Sequence, residues 1–97
     1  MESYMTEEIK IGRYVIDGID WLDDDTACLY FEEFKEDDCS VMIVVEYWLD
    51  ENSWHFRDQF YDKEDNYIDS CDTTHLSDKE KDECKEFILD WIKSWNE

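Results

Sequence analysis

Val41-Met42-Ile43-Val44-Val45-Glu46-Tyr47-Trp48-Leu49 is the stretch on which the fold turns. Taken every second residue, Val41, Ile43, Val45, Tyr47 and Leu49 form an unbroken apolar row. The other row carries Met42, Val44 and Trp48, with Glu46 as its only charge. β-Branched and aromatic residues at period two, without Gly or Pro, describe a central β-strand that needs cover on both faces.

Outward from it, the C-terminal segment supplies one cover. Cys84, Phe87, Ile88, Trp91, Ile92 and Trp95 recur at the helical period, and Ser77 with Glu80 has the form of a capping box, which predicts a helix over 77–96. On the N-terminal side, Glu8–Ile16 reads as a strand with Ile9, Ile11 and Val15 on one face and Tyr14 and Ile16 on the other. Asp17-Gly18 reads as a turn, and Asp23-Asp24-Asp25 as a solvated loop. A strand over Thr26–Phe34 would turn Ala27, Leu29 and Phe31 to the core and Cys28, Tyr30, Glu32 and Phe34 away from it. Trp54–Tyr61 would pair with the central strand, with Asp58 interrupting its apolar face as either a bulge or a strand end that leaves the core early. The predicted fold is a single α+β domain: an acidic arm over 1–7, an antiparallel meander of about four strands over 8–61, a loop over 62–76 with room for one short turn or strand around Tyr67-Ile68, and the helix on one sheet face. The opposite face would carry Tyr14, Cys28, Tyr30, Met42, Val44, Trp48 and Tyr61 among Glu32 and Glu46, either as a second small core or as an open aromatic patch.

The chain has 97 residues, 29 of them acidic and nine basic, for a formal net charge of −20. Sixteen aromatic residues argue for a folded chain despite that charge. Self-repulsion of this size destabilises a compact state, and the partner it suits is cationic: a basic nucleic-acid-binding protein or ribonucleoprotein, with no direct binding to nucleic acid or to an anionic membrane. No apolar run approaches membrane-spanning length, and the opening MESYMTEE has no leader character. This predicts a cytoplasmic protein, monomeric or homodimeric, in which Cys28, Cys39, Cys71 and Cys84 are free thiols.

Catalysis finds little purchase. Two glycines cannot build a phosphate-cradling loop, and His55 and His75 match no local catalytic signature. Cys71, His75 and Cys84 lie close in sequence but without a CxxC pair. The calcium-loop-like start at Asp62 lacks the turn glycine, with Tyr67 in its place. The expectation is a non-enzyme with no cofactor and no specific metal.

The placement of charge carries the functional reading. From Ser77 onward seven acids face four lysines, whereas residues 1–76 hold 22 acids against five bases. The expected partner-binding residues are Asp17, Asp20, Asp23, Asp24, Asp25, Glu32, Glu36, Asp37, Asp38, Glu46, Asp62, Glu64 and Asp65, with Trp48 and Tyr30 as aromatic anchors. Carboxylates two apart on a strand lie roughly 6–7 Å apart, a spacing that can imitate a row of phosphates.

In size, charge and lack of a catalytic motif, the whole chain resembles the small acidic nucleic-acid mimics of phages and mobile elements: anti-CRISPR, anti-restriction and DNA-glycosylase-inhibitor proteins. That resemblance implies an inhibitor that blocks the nucleic-acid channel of a CRISPR, restriction or repair machine, acting in the host bacterial cytoplasm. An immunity protein or antitoxin that caps a basic nuclease toxin uses the same physics and is the alternative.

Overall fold

The computed structural model describes residues 8–71 and 74–95. It corrects the predicted strand count. Among the described residues seven strands are present, β1 (Lys10–Ile11), β2 (Tyr14–Asp23), β3 (Thr26–Phe31), β4 (Phe34–Glu36), β5 (Cys39–Trp48), β6 (Ser53–Tyr61) and β7 (Tyr67–Cys71), followed by α1 (Asp78–Trp95). They form one antiparallel sheet in the order β1-β2-β3-β5-β6-β7, with β4 paired to β5 beyond the end of β3. The α+β class stands, and the acidic arm over 1–7 lies outside the described residues.

Each extra strand has a local cause. Gly12, at φ +62, breaks the first predicted strand into β1 and β2 and resets the phase, so that Ile11 and Tyr14 become register partners and both enter the core. Tyr14 therefore does not join the second sheet face. Asp17-Gly18 is no turn; β2 runs through it with a register shift between Ile16 and Gly18, a bulge that bends the strand without reversing it. The predicted strand over 26–34 divides at Glu32-Glu33. Four steps from Tyr30 to Phe34 oppose three from Val44 to Val41 on β5, and the extra residue turns Phe34 to the helix side, against Tyr14 at 5.4 Å. β7 occupies part of the predicted 62–76 loop. Tyr67 and Ile68 are both more than half exposed, so this strand is made by pairing to β6 and has no apolar row to announce it.

The core sits between α1 and the face of β3 and β5 that carries Ala27, Leu29, Phe31, Ile43 and Val45, all fully buried. Cys84 and Ile88 of α1 and Leu76 just before it close this layer. Full burial of one such aliphatic or aromatic side chain stabilises the fold by roughly 1.5–3 kcal/mol. The capping box forms as the sequence predicts: the Glu80 amide donates to Ser77 Oγ at 3.2 Å, and the Ser77 amide donates to Glu80 Oε1 at 2.9 Å. Farther along, Trp91 packs on Trp21 at 5.2 Å, while Trp95 at the end of the helix is 61% exposed.

Ile88→Ala is expected to lower stability by about 2–5 kcal/mol in urea unfolding, whereas Trp95→Ala should cost far less. Gly12→Ala should also destabilise. Its φ lies in the left-handed region, and a Cβ there would overlap the Glu80 carboxylate that completes the capping box.

Candidate partner-binding surface

In an antiparallel sheet the turns gather at the two ends of the strands, and here all but the β1–β2 turn, Gly12-Arg13, carry acids. At one end the β2–β3 turn and the β5–β6 turn meet, tied by the Leu49 amide donating to the Asp25 carbonyl at 2.8 Å. Asp23, Asp24, Asp25, Asp50 and Glu51 surround a recess of about 430 Å3 whose wall includes the indole of Trp48. The repulsion is concrete: Asp50, foremost, holds the Asp25 carboxyl above its ordinary pKa, with Asp23 and Asp24 adding to it. At the opposite end the β4–β5 and β6–β7 turns bring Asp38, Asp62, Lys63 and Glu64 around a second recess of about 400 Å3. Lys63 reaches Asp38 at 3.8 Å. Glu32 and Asp37 are exposed on the same side of the molecule, as is Asp65 in the β6–β7 turn. Asp17 and Asp20 stand exposed along β2.

Several of the expected binding acids already have structural partners: besides Asp38 with Lys63, Asp20 and Asp23 accept from the amides of Trp21 and Asp25 at 2.8 and 2.9 Å. Glu46 is 6% exposed, on the sheet face away from the helix, where Arg57 contacts it at 2.8 Å and the Trp48 indole N–H donates to it at 2.9 Å. Burial alone would raise its pKa, but these two donors outweigh burial and hold it below the usual carboxylate value. Glu46 thus leaves the docking surface. With Cys28 at 1% and Val44 at 3% exposure, it makes the centre of this face a closed small core, with Trp48 at its rim. Asp62 caps its own turn, accepting from the amides of Glu64 and Asn66 at 2.8 and 2.9 Å, and those bonds lower its pKa. Glu36 accepts from His75 Nε2 at 2.8 Å.

That last contact belongs to a group that the sequence does not reveal. Asp58, which interrupts an apolar row, is 2% exposed and neither ends β6 nor bulges it. Its carboxylate takes His75 through the ring Nδ1 and through the backbone amide, and the ring stands edge-on to Phe34 at 5.3 Å. The hydrogen bond to Glu36 raises the pKa of His75, partial burial opposes it, and Asp58 adds to the rise. Thirty-nine residues separate His75 from Glu36, and nothing in local spacing joins them. Asp50 and Glu51 are a second omission; the β5–β6 pairing puts them beside Asp23–Asp25.

Cys28, Cys39 and Cys84 are free thiols. Burial, the leading cause in each case, pushes Cys28 up to about 11 and Cys84 up to about 12. Cys71 lies with its side chain outside the described set, and among the described residues no three His, Cys, Asp or Glu groups are placed to share a metal ion. Among them too, no helix is long and apolar enough to cross a membrane. Comparison of the chain with family models, curated proteins and solved structures finds no match.

Because Asp25 has a raised pKa in the folded state, the folded chain binds a proton more readily than the unfolded one there. Stability at this site should rise as pH falls through the folded value. Asp62 has the opposite sign: its contribution is present above its unfolded pKa and is lost as pH falls through the lowered one. Asp25→Asn is therefore expected to raise the urea midpoint at pH 7 and Asp62→Asn to lower it. Wild-type stability should increase between about 10 and 300 mM salt as the Debye length contracts.

Proposed function

We propose that this chain is an acidic nucleic-acid mimic: an inhibitor that occupies the basic DNA- or RNA-binding surface of a protein or ribonucleoprotein and excludes the nucleic acid. The observation that carries the reading is the separation of the two acidic ends. They are joined by β5, ten residues long, which at about 3.3 Å per residue sets them roughly 30 Å apart. That distance is close to the roughly 34 Å between equivalent positions one turn apart on duplex DNA, where a protein that grips one side of the duplex makes its repeated backbone contacts. The slab-like shape, 44 × 41 × 26 Å, lets both ends face one partner.

The helix contributes less to this surface. Lys81 lies over the Phe56 ring and Lys85 over the Trp54 ring, so its cations serve the helix–sheet seam and offset its own acids. No catalytic step is assigned to the protein; inhibition by occupancy needs one bound copy per site. Trp48, 36% exposed beside five carboxylates, is the aromatic anchor this reading favours.

The deciding experiment is competition. Partners captured from a bacterial lysate on tagged protein and released by salt are tested for binding to their own DNA or RNA with and without saturating inhibitor. Loss of nucleic-acid binding is expected. A partner that binds its nucleic acid equally well at saturation overturns the mimic reading and leaves a cap on a nuclease toxin as the better account. Charges at a rim act mainly on the association rate. Replacing Asp23, Asp24 and Asp25 by Asn should accordingly slow association and flatten its salt dependence, while neutralising Asp82 and Glu86 on the helix should do less.

A further inference from the structure

The contact between β4, β6 and the segment before α1 is held by one imidazole between two carboxylates in unequal surroundings. The Asp58 side chain is 3% exposed, and that of Glu36 is 44% exposed. A protonated histidine donates from both ring nitrogens, whereas a neutral one has a single N–H and a lone pair. On loss of a proton, one carboxylate must face that lone pair. A buried carboxylate stripped of its donor costs far more than one that can turn to water, so the remaining N–H stays with Asp58 and the lone pair falls at Glu36. At 2.8 Å that contact becomes repulsive.

We propose that the Asp58–His75–Glu36 bridge is a pH-operated latch, in which the Nε2 proton of His75 holds the tip of the β4–β5 hairpin to the segment leading into α1 and its loss releases that tip. The released part is Lys35–Asp38, which is then left with its hairpin pairing to Ser40 and Cys39 and the exposed Lys63–Asp38 contact at 3.8 Å. Phe34 stays anchored on Tyr14, and Leu76 stays buried beside His75. Asp37 already sits in the left-handed region, at φ 56, so relaxing the turn also relieves a strained backbone.

Among the described residues the charged groups around the ring are few. Glu36 comes from β4 and Asp58 from β6. Arg13, in the turn between β1 and β2, feels both Glu36 and Glu80 at the start of α1, and with Lys35 it lines the recess beside Glu36 where a freed carboxylate can be received. The linkage has one sign. The pKa of His75 is raised in the fold, so the stabilisation is complete below the unfolded value of about 6.5 and disappears as pH rises through the folded value. The tip carries Asp37 and Asp38, but the latch is a property of the fold alone and does not depend on any partner.

NMR of the full chain tests it. The His75 ring resonances are expected to titrate with a midpoint above the ordinary histidine value. Over that same titration, the hydrogen-exchange protection of the Lys35–Asp38 amides should fall roughly tenfold or more, the scale of one charge-assisted hydrogen bond, while the amides of β5 keep theirs. Glu36→Gln is the control. Its amide can accept from a protonated Nε2 or donate to a bare one, so the tip should stay closed at both extremes of pH in a folded protein. A His75 midpoint at or below the ordinary value, tip protection that does not change through the His75 titration, or an undiminished response in Glu36→Gln would each overturn the latch.

Discussion

Mutual repulsion of carboxylates is the constraint under which everything else in this protein is arranged. With 29 acids and nine bases, few negative groups can be neutralised by a partner in the same chain. The described ion pairs are correspondingly sparse: Glu46 with Arg57, Asp38 with Lys63, Glu8 with Lys10, and the two carboxylates on His75. The rest must stand in water and as far apart as the chain permits. An antiparallel sheet suits this requirement because its turns lie at opposite ends, with the buried apolar rows of its strands between them. The long β5 both buries the core and holds the charge apart.

Among the described acids two, Glu46 and Asp58, escape this rule by being buried, and both are fully engaged. Glu46 is satisfied by a guanidinium and an indole, Asp58 by an imidazole and a backbone amide. Each stands at a place where β-sheet alternation would otherwise put an apolar side chain, and each ties separate strands or segments together. Removing the partner in either case would leave a carboxylate in a dry environment, the more damaging half of the bargain that buried ion pairs make.

Much of the architecture was legible in periodicity alone. The alternating row through Val41, Ile43 and Val45 and the helical stripe through Cys84 and Ile88 meet in the core as their spacing requires, and the Ser77–Glu80 box starts the helix. What periodicity could not convey was where its phase slips. The left-handed Gly12 and the extra residue at Glu32-Glu33 each move a following aromatic, Tyr14 or Phe34, to the other face, and a single sequence carries no separate mark of such a slip. β7 showed in the sequence only as a short turn or strand at Tyr67-Ile68, for a different reason: it is stabilised by ladder pairing on an exposed flank and needs no apolar pattern. The acidic turns could be read from composition. The joining of Asp50 and Glu51 to Asp23–Asp25, and of His75 to Glu36 across 39 residues, depends on strand register and exists only in the folded chain.

The thiols give this fold two separately placed clocks. Cys84 lies in the layer between α1 and the sheet, and Cys28 lies on the other face beside Glu46; both are shut away from solvent and both hold their protons far above neutral pH. A thiol in that state reacts with an alkylating reagent only when its own layer opens. Labelling at Cys84 therefore times the lifting of the helix, and labelling at Cys28 times the opening of the sheet face turned away from α1. The order in which the two become modified would separate detachment of the helix from rupture of the sheet, a distinction that a single unfolding midpoint averages away.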